Sequence, residues 1–236
     1  MGLRAMILAG ELAGGTRIAE LSLVDKLAVS RTPIRAALVR LEQEGLLVAL
    51  PGGGFAVKTF SEQDVSEAIE LRGCLEGMLA RLAAERGADA ALLHQARGTL
   101  CDIDAVLKMH ALDDESFTRY VELNAQFHQL LMDMAGSAVI RKEAERVAAL
   151  PFASPSGFVL AQATSPQARD MFIVAQDQHR QVLAAIEQRE GARAESLMRE
   201  HSRLAQRNLV ATVTAQVPPG LPGVQLIQRR GLTVNS

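Results

Sequence analysis

The chain has 236 residues, room for one large or two modest domains; 48% are hydrophobic, only 3% are aromatic, and tryptophan is absent. A core made from this composition is Leu, Ala, Val and Met on helices, and no apolar run approaches the ~20 residues that cross a bilayer. A formal charge of −2 excludes a uniformly basic nucleic-acid binder, yet residues 1–60 carry seven Lys or Arg against five acids while the remainder carries 18 against 22.

Leu3, Ile7 and Leu8 read as the last turns of a first helix before Gly14-Gly15. The stretch Leu21 to Leu50 then reads as two short helices, a tight turn between them, and the start of a hairpin. Ser22 is placed to cap the first helix, with Asp25 as the reciprocal acid, ahead of Leu23, Leu27 and Ala28. Thr32-Pro33 supplies an N-cap and a first-turn proline for the second, and Ile34, Leu38 and Leu41 recur at helical spacing as its buried face. Arg31, Thr32, Arg35 and Arg40 lie at its start or on its other side. Gly45 ends it, Leu46 to Leu50 is an apolar strand, and Pro51-Gly52-Gly53-Gly54 turns the chain into Phe55 to Lys58. This is the pattern of a winged helix-turn-helix. A recognition helix enters the major groove N-terminus first, where Arg can bond a guanine edge and Ser or Thr can hold phosphate. The competing reading is a small helical subdomain with ordinary surface arginines.

The wording points further. Val29-Ser30-Arg31-Thr32-Pro33-Ile34-Arg35, then Ala37-Leu38, Arg40-Leu41-Glu42 and Glu44-Gly45-Leu46, resembles the DNA-reading domain of GntR-type bacterial transcription regulators. The resemblance implies that Ser30, Arg31, Thr32 and Arg35 contact operator DNA and that Gly52, Gly53 and Gly54 form the wing tip. Two positions depart from the family pattern: Ala36 stands where Glu is usual, and Ala28 where Gly is usual in the turn. Neither removes a DNA-contacting group. Family members usually carry more helix ahead of Leu3.

Beyond Phe60 the strand signals stop. Ser61 with Asp64 forms a capping box for a helix that runs through Val65, Ile69, Leu75 and Leu79 to Glu85. Further helices are expected over Ala88 to His110, from Asp113 or Asp114 to Ala135, over Ser137 to Leu150, and as a hairpin of Pro166 to Gln188 and Ala192 to Thr212 about Gly191. Pro151 to Ser165 is expected to be a loop. The fold class is therefore mainly α, an N-terminal winged helix-turn-helix with a C-terminal antiparallel all-helical bundle. The expected divisions are residues 1–60, 61–213, and a C-terminal tail at 214–236. Cys74 and Cys101 sit inside helical patterns without a CxxC pair, which does not suggest a disulfide framework and, with nothing resembling a signal peptide, fits the cytoplasm.

Three of the five histidines stand at telling positions. Asn124 and His128 are one turn apart on one helix face. His179 and His201 lie on the two arms of the last hairpin at nearly equal height, ~15–18 Å from its turn at ~1.5 Å per residue. If these helices pack together, one oxygen and three imidazoles converge, a set suited to a divalent transition metal such as Zn, Ni, Mn or Fe with open positions left over. The competing reading is three satisfied core or surface histidines.

Arg72 and Glu76, Asn124-Ala-Gln-Phe-His128, His179 and His201 together resemble the FCD effector-binding domain of the FadR subfamily of GntR regulators. In that family an acidic residue or Asn joins three histidines around a metal, which helps hold a small carboxylate effector. A neutral Asn124 gives less charge compensation than Asp. Arg72 matches the family's effector-side arginine, with Glu76 beside it; alternatively the two simply pair along their own helix.

The function implied is a ligand-responsive repressor, a homodimer on double-stranded operator DNA, that binds a small organic acid and has no membrane partner and no enzymatic activity. The alternative is a metal-dependent hydrolase- or lyase-type enzyme in the bundle, with the head as an accessory interaction domain and Glu76 as the candidate base.

Overall fold

A computed structural model describes residues 2–109, 113–150, 153–155, 168–214, 223 and 226–228. The chain forms two compact units. The first contains residues 2–65, 149–150, 223 and 226–228, and the second contains the other described residues.

In the first unit, α1 (Leu3–Leu8), α2 (Glu20–Leu27) and α3 (Arg31–Gln43) precede the hairpin β1 (Leu47–Ala49) and β2 (Phe55–Val57). The hairpin is antiparallel with Val48 opposite Ala56. The stretch before α2 lies along its other edge, where Ile18 N–H donates to Phe55 O and Val57 N–H to Thr16 O. Ile7, Ile18, Leu23, Ile34, Leu38, Leu41, Leu46 and Val57 are buried together as the core.

Both expected caps shift toward the N-terminus. α2 starts at Glu20 with Ala19 as its N-cap, so Ser22 does not cap it. Sheet pairing at Ile18 forces the turn into helix there, and buried Ile18 and Leu23 occupy the staple positions on either side of the first turn. α3 starts at Arg31 with Ser30 as N-cap, which places Thr32 and Pro33 inside the first turn. Pro33 is still tolerated, because the first four helical N–H groups have no intrahelical acceptor. Ala28, between the helices, is left-handed at φ 53°, and Gly45 follows α3 at φ 78°.

A short strand β3 (Phe60–Ser61) pairs in parallel with β4 (Ile227–Gln228), and Gly223 N–H donates to Leu8 O. These residues fall in the stretch expected to be a tail. Complete burial of Leu226 provides the apolar contact that the sequence pattern did not reveal.

The second unit contains α5 (Ala90–Lys108), α6 (Asp114–Ala135), α7 (Ala138–Ala148), α8 (Ala168–Glu187), α9 (Gly191–Thr214) and most of α4 (Glu62–Arg86). The capping box of α4 is present: Asp64 N–H donates to Ser61 Oγ (3.0 Å), and Ser61 N–H to Asp64 Oδ2 (2.7 Å). Asp89 accepts from Ala91 and Leu92 N–H at the start of α5, and Asp113 accepts from Ser116 N–H at the start of α6. Gly136 closes α6 at φ 58°. The expected end of α5 at His110 and most of the expected loop 151–165 lie outside the described residues. Ile103, Phe127, Leu131, Val182, Ile186 and Met198 pack as one core, with Phe172 stacked on Tyr120 at 4.5 Å between centroids.

Candidate functional site

In the second unit α6, α8 and α9 each contribute one imidazole to a common interior point. His128, His179 and His201 are buried, and one ligand atom from each lies within 4.8 Å of the others. α4 reaches the same point because it lacks side chains where it meets α9. A Cβ on Gly73 would lie 2.0 Å from Ser202 Oγ, and one on Gly77 would lie 3.1 Å from Glu195 O. That close approach accompanies the burial of Arg72 and Glu76 on α4. Asn124, one turn before His128, is buried as well.

Each ring has an oxygen acceptor at Nδ1. Glu76 Oε1 lies 3.0 Å from His128 Nδ1, Gln176 Oε1 3.3 Å from His179 Nδ1, and Gln178 Oε1 3.2 Å from His201 Nδ1. Gln176 is oriented by its other end, since its Nε2 donates to Leu100 O (2.8 Å) and Asp104 Oδ1 (2.7 Å), groups that only accept. With each Nδ1 facing an oxygen, the Nε2 atoms are what the rings have left to offer. His179 Nε2 and His201 Nε2 face one another at 3.1 Å. His128 Nε2 is buried with no hydrogen-bond partner among the described residues.

The electrostatics agree with this arrangement. Burial, followed by the nearby His128, holds the His179 pKa well below the ordinary imidazole value. Burial, and then His179, His128 and Arg72, does the same for His201. Both rings are neutral at pH 7, and their Nε2 atoms face each other at the centre of the cluster. Burial raises the Glu76 pKa, but Arg72, then His128, and the hydrogen bonds they donate outweigh it, so the carboxyl stays below its usual range and ionised. Its Oε2 pairs with Arg72 Nη1 at 2.9 Å. Among the described residues Arg72 Nε is buried without a partner.

Such a set fits a metal. Two nitrogens bound at ~2.0–2.1 Å to one ion stand roughly 2.8–3.4 Å apart for octahedral to tetrahedral angles, which brackets the His179–His201 spacing. Nδ1–H groups committed to oxygen acceptors are the usual outer support of metal-ligating histidines.

In the first unit Arg31, Thr32 and Arg35 occupy the first turns of α3, exposed, with Ser30 at its N-cap. Arg35 Nε lies 2.9 Å from Glu20 Oε2. Gly52, Gly53 and Gly54 form the exposed hairpin tip, where Leu50 N–H donates to Gly54 O and Gly53 N–H to Leu50 O.

Residues 67–204 match the FCD domain family, and residues 2–57 match the family described as bacterial regulatory proteins, gntR family. The chain belongs to the FCD-bearing GntR regulators. It is 32% identical over 145 residues to the uncharacterized HTH-type transcriptional regulator YdhC of Bacillus subtilis, covering 61% of this chain and 62% of that protein. It is 29% identical over 181 residues to the HTH-type transcriptional repressor GlaR of Escherichia coli, covering 76% and 79%. Against the first relatives matched, the chain thus spans about six tenths of their length. The fold is shared with Escherichia coli McbR/YncC at a TM-score of 0.63 and 18% identity, over 89% of this chain and 94% of that one.

These families and relatives are regulators of transcription rather than enzymes, which removes the support for the enzyme alternative. Among the described residues no helix of this GntR-family chain is long and apolar enough to cross a membrane. Sequence reading placed Glu76 beside the effector; in the structure its carboxylate is committed to Arg72 and His128. Gln176 and Gln178 were missed, because glutamines on an amphipathic helix carry no distinguishing spacing.

Proposed function

We propose that this chain is a cytoplasmic, homodimeric repressor that binds double-stranded operator DNA through its first 60 residues. Its helical residues 61–213 would hold a divalent metal and a small carboxylate effector. The observation that carries the sensing half is the three-histidine point itself: two neutral rings face one another through Nε2, and a third buried Nε2 has no partner among the described residues. A cation is the group that satisfies all three at once. His128, His179 and His201 would hold it, with Asn124 beside them as a neutral oxygen donor.

A bound divalent ion supplies Lewis acidity that anchors a carboxylate at its open positions. The chain's own residues supply the rest. Glu76 fixes the His128 ring, Gln176 and Gln178 fix His179 and His201, and Arg72 offers a buried Nε–H to an anionic ligand. Ser30, Arg31, Thr32 and Arg35 would meet the major groove, with Gly52, Gly53 and Gly54 as the wing tip. The effector lowers operator affinity only insofar as it binds the DNA-free arrangement more tightly than the DNA-bound one.

The test couples two titrations. Zn, Ni or Mn added to metal-stripped protein should bind at one site per chain, and His179→Ala should lose that binding. In gel shifts on DNA upstream of its own gene, Arg31→Ala and Arg35→Ala should each weaken binding tenfold or more. Retained metal affinity in His179→Ala sinks the sensing half, and unaltered DNA binding by both arginine variants sinks the head assignment.

A further inference from the structure

Among the described residues of the first unit, four of the seven Lys and Arg are committed to carboxylates. Arg4 and Arg40 share Glu44 at 2.8 and 2.9 Å, Lys26 pairs with Glu11 at 2.6 Å, and Arg35 with Glu20 at 2.9 Å. Lys58 lies over the Phe60 ring. Arg17 is different. Its Nη2 donates to Gly53 O at 3.0 Å, and among the described residues it has no carboxylate partner. A carbonyl takes one N–H without cancelling charge, so an exposed guanidinium keeps its full charge and most of its donors.

Its position is fixed by backbone as well as by side chain. Arg17 is bridged to Ala56 along the edge of β2, between the bonds that Thr16 and Ile18 make to the same strand. From there the guanidinium reaches the hairpin tip, within 3.9 Å of where a Cβ on Gly54 would stand. Gly53 and Gly54 have φ of 84° and 83°, a conformation that favours glycine, so the tip is bare backbone. The charge that a glycine-only wing cannot carry is therefore supplied by a residue 36 positions earlier in the chain.

We propose that Arg17 is the DNA-reading residue of the wing, entering the operator's minor groove together with the Gly52–Gly54 tip and favouring A·T pairs there. This rests on the head being a DNA-binding unit. The minor groove is only ~6 Å wide, which suits a tip without side chains. A·T-rich tracts narrow it further and concentrate negative potential, which attracts an inserted cation. A guanidinium is more weakly hydrated than an ammonium and loses less on entering so confined a space.

The probe is the duplex that wild-type protein enriches from a random-sequence pool, made in two forms with A·T or G·C pairs at the wing positions flanking the enriched core. Arg17→Gln removes the charge but keeps an amide N–H for Gly53 O, so the wing conformation is preserved; an unchanged circular dichroism melt verifies this. The variant should bind the A·T form about tenfold more weakly, bind the G·C form nearly as wild type does, and lower the salt slope by about one. Wild-type affinity for both forms, with binding lost in Arg31→Ala, overturns the role of Arg17 while the head reading stands. An equal loss on both forms means a phosphate contact and overturns minor-groove reading. If wild-type protein enriches no duplex, the head reading fails and this inference fails with it.

Discussion

Gln176 shows how much of the candidate metal point depends on residues that never touch an ion. It is almost fully buried, with its amide N–H groups taken by Leu100 O and Asp104, and this leaves its oxygen to hold the His179 Nδ1 proton. Asp104 is itself paired with Arg180. Gln176→Leu should keep helix content but lower metal affinity ten- to a hundredfold in a competition titration, since the ring loses both tautomer and orientation; unchanged affinity would remove Gln176 from the account. A second local effect is backbone strain. Ala28 is left-handed at φ 53°, which costs a residue with a Cβ roughly 1–2 kcal/mol. Ala28→Gly relieves that and gives back part of it as unfolded-state entropy, so urea unfolding should show a net gain of about 0.5–1 kcal/mol.

The capping box at the start of α4 makes a pH-dependent contribution. Hydrogen bonds from the Ser61 side chain and backbone hold the Asp64 pKa below its ordinary 3.8. Its stabilising effect is therefore present above pH 3.8 and is lost as pH falls through the lower folded value. Asp64→Ala should cost ~0.5–1 kcal/mol at pH 7, and the gap from wild type should close in strong acid. Further along the same helix, Gly73 and Gly77 let α4 lie against α9. A Cβ at residue 73 would also stand 2.7 Å from Ser202 Cβ, so rotating the hydroxyl away does not make room. Gly73→Ala should destabilise by roughly 1–3 kcal/mol and weaken metal binding by shifting Arg72 and Glu76, while Gly73→Ala with Ser202→Gly should restore both. Failure of that rescue in thermal melts would mean that the α4–α9 approach is not what sets the site.

Metal binding would act on the helical unit as a whole, because its candidate ligands come from three helices and Glu76 from a fourth. An ion present at 100 times its Kd stabilises the state that binds it by about 2.7 kcal/mol. Hydrogen exchange with and without Zn should therefore show slower exchange across α4, α6, α8 and α9 and unchanged exchange in α2 and α3. Uniform protection of the entire chain, or none, would contradict a site confined to these helices.

The sequence alone determined the elements and their ends wherever the signal was local. Apolar spacing set the buried face of α3, Ser61 with Asp64 marked the start of α4, and Gly45 marked the end of α3, because helix periodicity and capping depend on neighbours within a turn or two. It also put His179 and His201 at equal height, since both count back to one hairpin turn. Tertiary structure decided the rest. The start of α2 moved because Ile18 pairs with a strand nearly 40 residues on, and Leu226 joined the head through contacts no local pattern encodes. Glu76 and Gln176 acquired their roles from partners on other helices, and Arg17 met the wing tip only once the chain had folded back on itself. Long-range contacts select among conformations that local preference leaves nearly equal in energy.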